Sequence, residues 1–283
     1  MNLQLPPHYC KTDVMRSVLV HADCFDVFPY IADESVQLIL CDLPYGTTAC
    51  KWDSVLPFDK LWEQYERIVK PNGAIVLTAS QPFTSALVMS NTKLFRYEFI
   101  WDKIKGSGFL NANKMPIIRH ETILVFYKKL PTYNKQMKPR NPNSHSLGRV
   151  ENYTKKEAKN TDGVYGMQGI EFKRRNVIND YSLKNPDSII EISVGNNRGK
   201  YKRLHPTQKP TELFEYLIKT YTNEGDLVLD NTAGSGTTAI ACLNTKRQFI
   251  VMEKEQKYYD IILKRVADFN KNFEPQTLFG NEI

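Results

Sequence analysis

The sequence predicts an open, doubly wound, mostly parallel α/β sheet interrupted by one inserted segment. Three observations predict it. Short apolar runs ended by turn residues alternate with longer stretches whose apolar residues recur at helical spacing, the signature of strand–helix units. The chain has 283 residues with 41% apolar content, enough to bury a full core as one large domain or one domain plus an insert. A long basic stretch, residues 130–204, lacks apolar runs and separates two alternating halves, residues 1–129 and 205–283.

In order along the chain, residues 18–21 (Val-Leu-Val-His) form a short strand. Residues 36–41 form a buried second strand, ended by a Pro-containing turn. Residues 58–69 carry Leu61, Trp62, Tyr65, Ile68 and Val69 at helical spacing and close at Lys70-Pro71-Asn72-Gly73, a helix-stop signal. Residues 74–78, 97–101 and 122–127 supply three further strands. After the basic stretch comes a helix over 211–221 and a buried strand over 227–230. The glycine turn Asn231-Thr232-Ala233-Gly234-Ser235-Gly236-Thr237-Thr238 then opens another helix. A last strand covers 248–252 and ends at Glu253. No internal repeat or low-complexity tract is apparent.

Charge is distributed unevenly. The net charge is +7 with pI near 9.0, which by itself favours an acidic partner only weakly. Residues 130–204 hold 15 Lys and Arg against 7 Asp and Glu, a local net of +8, so all other residues together carry −1. This stretch is either a solvated surface insertion or a surface whose Lys and Arg meet phosphates and whose Asn and Arg read base edges. No apolar run approaches ~18 residues, so no membrane span is expected, and residues 1–11 lack the apolar core of a signal peptide. Five cysteines, an odd number without a C-x-x-C pair, suit a reduced intracellular protein with no structural metal.

Three motifs carry chemistry. Asp42-Leu43-Pro44-Tyr45 lies at the C-terminal mouth of a buried strand, where open α/β sheets place ligands. A carboxylate, a restrained backbone carbonyl and an aromatic ring there suit a planar base with an exocyclic amine. The glycine turn after Asp230 lets backbone approach a ligand and is followed by free helix N–H groups. It lacks the third glycine of a dinucleotide fingerprint and the Gly-Lys ending of a P-loop. A packing-driven turn would look the same. Glu253, 23 residues beyond Asp230, is either a solvated strand-end charge or an acid for two ribose hydroxyls. His205-Pro206-Thr207-Gln208-Lys209-Pro210 alone reads as a Pro-punctuated linker.

The order of these motifs around the basic stretch resembles the beta group of amino-methylating DNA methyltransferases, which act on adenine N6 or cytosine N4. Ala22-Asp23-Cys24, Lys70-Pro71-Asn72-Gly73 and Arg119-His120-Glu121-Thr122-Ile123-Leu124-Val125-Phe126 extend the resemblance from about Leu19 to about Phe269. It implies a Rossmann-like, seven-stranded methyltransferase sheet with an inserted target-recognition region. It further implies S-adenosylmethionine as cofactor, double-stranded DNA as partner and a cytoplasmic, nucleoid-associated setting in a bacterial or phage-infected cell. Relatives are often dimers, which leaves a homodimer open.

Carried over by position, the resemblance assigns Asp42, Asp230, Asn231, Ala233, Gly234, Ser235, Gly236 and Thr237 to line the cofactor. Glu253 would hold its ribose, Asp23 its adenine edge, and Thr207 and Lys209 its methionine end. Asp42 and the Leu43 carbonyl, in the turn shaped by Pro44, would accept hydrogens from the target amino group, with Tyr45 stacked on the base. Lys138, Arg140, Arg149, Lys173, Arg174, Arg175, Arg198, Lys202 and Arg203 would contact DNA. Leu43 replaces the commoner Pro, and Thr232 stands where an aromatic is frequent. Asp rather than Ser at the first motif position points to adenine N6. The alternatives are cytosine N4, a protein-glutamine or RNA methyltransferase, a catalytically silent DNA-binding module and a nicotinamide oxidoreductase.

Overall fold

A computed structural model describes residues 4–6, 9–14, 16–47, 50, 53–140, 183–194 and 208–273. The elements run β1 (Cys10–Val14), β2 (Ser17–His21), α1 (Cys24–Val27), β3 (Val36–Asp42), α2 (Phe58–Ile68), β4 (Val69–Ala79), α3 (Phe83–Ser90), β5 (Phe95–Ser107) and β6 (Ile118–Phe126). They continue with β7 (Lys138–Pro139), β8 (Leu183–Lys184), β9 (Ile189–Glu191), α4 (Thr211–Tyr221), β10 (Leu227–Asp230), α5 (Thr237–Thr245), β11 (Gln248–Glu253) and α6 (Gln256–Phe273). Contacts divide the chain into one unit of residues 1–134 with 187–283 and a second unit of residues 135–186. In the second, β7 and β8 pair antiparallel.

The larger unit is built on a sheet of order β1-β2-β11-β10-β3-β4-β6-β5-β9. The seven strands from β2 to β5 form the expected sheet, and two short edge strands extend it to nine. Only β1 and β6 run against the other strands. Strand β9 lies at residues 189–191 and pairs with Ile100–Asp102 of β5. The contact unit of the insert is therefore narrower than the expected 130–204.

Alternation along each strand puts successive side chains on opposite faces. In β3, Ile39 and Cys41 join a core with Val27, Leu61, Tyr65, Ile68 and Leu87, from α1, α2 and α3. Leu38 and Leu40 face the other way, into a core with Leu213, Leu217, Ala239, Tyr259 and Ile262, from α4, α5 and α6. A continuous apolar run is what a strand covered by helices on both faces requires. Both cores are sealed by residues of near-zero exposure.

Three features differ from the sequence expectation. Helix α2 ends at Ile68, and Lys70-Pro71-Asn72-Gly73 continues inside β4. There Val69 pairs with Val36, and the Gln37 amide donates to the Asn72 carbonyl at 2.9 Å, holding the segment to β3. Helices α1, α3 and α6 were not expected; α6 buries Tyr259, Ile262 and Val266 at helical spacing. Strand β1, mostly polar and partly exposed, is held as an edge partner of β2, by the Thr12 hydroxyl 3.0 Å from the Tyr259 hydroxyl and by Val14 in the core.

Candidate active site

The C-terminal ends of β3, β4 and β5 meet the start of β6 at one edge of the sheet, and their in-register side chains share a site. Asp42 is paired with Thr78 of β4. The Thr78 hydroxyl donates to Asp42 Oδ1 at 2.5 Å, and the Tyr45 hydroxyl donates to the same oxygen at 2.8 Å. Lys209, from the loop before α4, donates through Nζ to Asp42 Oδ1 at 2.7 Å and Oδ2 at 2.8 Å. On its other side lies Glu121 of β6, whose Oε2 is 3.3 Å from Nζ in an ion pair that lacks hydrogen-bond geometry. Glu121 Oε1 in turn meets Lys103 Nζ of β5 at 2.5 Å.

This cluster balances two carboxylates with two ammonium groups. Lys209 is 6% exposed. Burial alone would pull its ammonium down, but Asp42, Tyr45 and Glu121 together outweigh that and hold it above the ordinary lysine value. Burial, reinforced by Asp42, pushes the Tyr45 phenol well up, so this hydroxyl remains a donor. The Tyr45 ring stacks on Phe83 with centroids 5.1 Å apart, and Lys209 Nζ sits 5.3 Å from its centroid.

The glycine turn stands beside this cluster. Asp230, at the end of β10, accepts the Thr232 amide at 3.0 Å and the Thr238 hydroxyl. Burial raises its carboxyl to about 7. Gly234 (φ 54°) and Gly236 (φ 79°) both take the left-handed backbone that disfavours side chains. They differ in surroundings: a Cβ on Gly236 would lie 2.9 Å from Ile262, whereas one on Gly234 would meet nothing within 4 Å. Gly236 is therefore required by packing, and Gly234 faces open space. The Thr232 hydroxyl donates to the Asp42 carbonyl at 3.1 Å, tying the turn to the end of β3.

A cavity of about 590 Å³ joins the two halves of the site. Asp23, Asp42, Leu43, Pro44, Tyr45, Lys209, Asp230, Asn231, Ala233, Gly234, Ser235, Thr237 and Glu253 all line it. Gly236 lies in the same turn against Ile262. Thr207 and the insert residues Arg149, Lys173, Arg174, Arg175, Arg198, Lys202 and Arg203 lie outside the described residues. Lys138 and Arg140 fall in the 135–186 unit, Lys138 in β7 and Arg140 just after it.

The N6/N4 methylase family model, described as DNA methylase, matches residues 36–264 of the chain. The chain belongs to this DNA methylase family. Among curated relatives of this methylase, M1.MboII of Moraxella bovis is 29% identical over 83% of the chain and 91% of its own length. M.BglII of Bacillus subtilis is 28% identical over 96% of the chain and 76% of its own length. M.HpaI of Haemophilus parainfluenzae is 26% identical over 90% of the chain and 76% of its own length. All three are described as type II methyltransferases. Two solved structures share the fold. One is a complex of M1.HpyAVI with SAM (TM-score 0.57, 24% identity, 88% of this chain and 98% of that one). The other is the cytosine-N4-specific PvuII DNA methyltransferase (TM-score 0.61, 15% identity, 91% and 92%).

The family's methyl donor is S-adenosylmethionine, and the methylase's glycine-turn wall has room and one unused donor for it. Gly234 opens to empty space, the cavity is of ligand size, and the buried Asn231 Nδ2 has no nitrogen or oxygen hydrogen-bond partner among the described residues. Asn231 Oδ1 is fixed from behind by the Tyr65 hydroxyl at 2.5 Å and the Cys41 thiol at 2.9 Å. Glu253 accepts the Gly234 amide and the Glu255 amide, each at 2.8 Å, and each of its oxygens retains a lone pair for a hydroxyl. Asp23 caps α1 through the Phe25 amide at 3.0 Å.

Lys209 meets a different arrangement from the one expected of it. Its Nζ is surrounded by oxygens of Asp42, Tyr45 and Glu121. No role for Thr78, Lys103 or Glu121 follows from the sequence alone. The available signal was the charged run Arg119-His120-Glu121 directly ahead of the apolar Ile123-Leu124-Val125-Phe126.

Proposed function

We propose that this methylase transfers the methyl group of S-adenosylmethionine to the N6 amino group of adenine, at a specific sequence in duplex DNA. One observation carries the reading: Asp42, fixed by Thr78, Tyr45 and Lys209, shares a cavity with the glycine turn and Glu253. Asp at the first motif position, in a family that acts on adenine N6 or cytosine N4, favours adenine. The type II designation of the relatives supports restriction–modification as the setting.

In this reading the cofactor is held by Asp230, Asn231, Ala233, Gly234, Ser235 and Thr237, with Glu253 on its ribose and Asp23 toward its adenine. When bound, it supplies an electrophilic methyl on a sulfonium. The protein's work is then to prepare the nitrogen. An adenine amino nitrogen is a poor nucleophile because its lone pair is delocalised into the ring. Asp42 and the Leu43 carbonyl accept its two hydrogens, which favours a pyramidal nitrogen with a localised lone pair. Most of the gain is positional and electrostatic. Asp42 need not be a strong base, since the proton can leave after transfer.

The amino group lies inside the duplex, so the target adenine leaves the stack at a cost of a few kcal/mol. An aromatic contact with Tyr45 returns about 1–3 kcal/mol. We assign sequence recognition to the insert, where Lys138 and Arg140 join the basic residues farther along as phosphate and base contacts. Tritiated methyl transfer to duplex DNA tests the whole reading, together with mapping of the modified base. Wild type should label N6 of adenine in one sequence context and Asp42→Ala should not. Labelling confined to cytosine would overturn the base assignment, and no labelling of any DNA would overturn the activity.

A further inference from the structure

The hairpin joining β5 to β6 has a surface that the catalytic site does not use. Every residue from 108 to 120 is exposed. Phe109 is 80% exposed and Leu110 97%, and Ile104, Met115 and Ile117 are each between 44% and 50% exposed. Large apolar side chains clustered in water mark an interaction surface. The backbone is also irregular here. β-pairing lapses between Asp102 and Ser107, Ile104 has φ 65°, and Gly108 has φ 87° ahead of a single turn at Phe109–Asn111.

Charge decides the partner. Residues 104–118 contain Lys105 and Lys114 and no acid, while Lys103 below them is paired with Glu121. Two copies of this tip brought together would oppose like charges, which disfavours a self-interface. A polyanion with apolar faces between its charges suits it. The position is equally specific, because Lys103, Lys105 and Gly106 line the cavity that contains Asp42 and Tyr45. The tip is thus rooted in the wall of the site where the target base would enter.

We propose that this hairpin is a second DNA-contacting element besides the insert: Phe109 and Leu110 enter the base stack beside the extruded nucleotide, while Lys105 and Lys114 hold the flanking phosphates. The inference rests on the DNA-methylation reading above. Extrusion leaves neighbouring base faces in water, and apolar side chains inserted at a base step cover them. The lysines add a sequence-independent, salt-dependent attraction.

The test uses the full chain and a fluorescent duplex containing the site mapped from DNA of an expressing strain. Phe109→Ser/Leu110→Ser should weaken duplex binding roughly ten- to a hundredfold, the size of one or two lost stacking contacts. Its melting temperature and S-adenosylmethionine affinity should stay at wild-type values. The slope of log affinity against log salt should also be unchanged. Lys105→Gln/Lys114→Gln should instead lower that slope by about 1.8. Duplex affinity of the Phe109/Leu110 variant within twofold of wild type overturns the hairpin's role, and continued methylation by that variant leaves the enzymatic reading intact. A change in sedimentation of the same variant without DNA overturns it in favour of contact between copies. A wild type that neither retains nor labels any duplex overturns both readings.

Discussion

Asp230 offers a test of the site's electrostatics that needs no substrate. The residue is 2% exposed at the end of β10, and burial moves its carboxyl from 3.8 to about 7. Between those values the unfolded chain is ionised at this position while the folded chain keeps its proton. The folded state then binds more protons, so stability falls as pH rises from about 4 to about 7 and is level beyond. A displacement of about 3 pH units at ~1.36 kcal/mol each amounts to about 4 kcal/mol. Asp230→Asn removes the titration while keeping the contacts. Its amide oxygen can accept from Thr232, and its Nδ2 can donate to the Thr238 hydroxyl, which exchanges roles. Urea melts of both proteins without cofactor, at closely spaced pH between 4 and 8, give the difference directly. The variant should gain on wild type by about 4 kcal/mol from the acid to the neutral end. A difference that stays constant across that range refutes the assignment of a neutral, buried Asp230.

The two glycines of the turn should separate stability from binding. Gly236→Ala combines a left-handed backbone with a Cβ 2.9 Å from Ile262, and should lose about 2–5 kcal/mol in a denaturation experiment. Gly234→Ala meets only the backbone cost, about 1–2 kcal/mol, and should show its larger effect as weakened S-adenosylmethionine affinity by calorimetry. Lys209→Met leaves Asp42 without its ammonium, while Glu121 keeps Lys103 at 2.5 Å. Asp42 is partly exposed, so the loss should fall at or below the ~3–5 kcal/mol of a broken buried pair, which a thermal melt would register together with lost methyl transfer. Leu43→Pro should retain substantial turnover, because the proposed contact is a main-chain carbonyl. Leu43 is 3% exposed in the core, so the same variant should lose about 2 kcal/mol of stability.

What could be read from the chain follows the reach of each signal. Helix α4 and strand β10 fall at the expected residues, since their apolar spacing and flanking turns are local properties. Helix α6 carries the same kind of signal in Tyr259, Ile262 and Val266, but eighteen residues of mixed charge dilute it until the partner face of α5 is known. Strand β1 has no apolar signature, because it buries Val14 alone and is otherwise held by backbone pairing and by Thr12 against Tyr259 of distant α6. The site divides in the same way. Asp42 and the glycine turn are contiguous motifs whose chemistry is visible in the residues themselves. The Asp42–Lys209 contact spans 167 residues and exists only because Lys209 is delivered to the strand ends just before α4. Thr78 reaches Asp42 through the β3–β4 register, and Glu121 shares the site because Trp101 and Glu121 are partners in β5 and β6. A register shift of one residue on either pair would turn those side chains to the opposite face. The charge balance around Asp42 is therefore a property of strand register and of the loop that delivers Lys209, and residue order cannot express it. Substituting Glu121 alone should accordingly disturb a carboxylate two strands away.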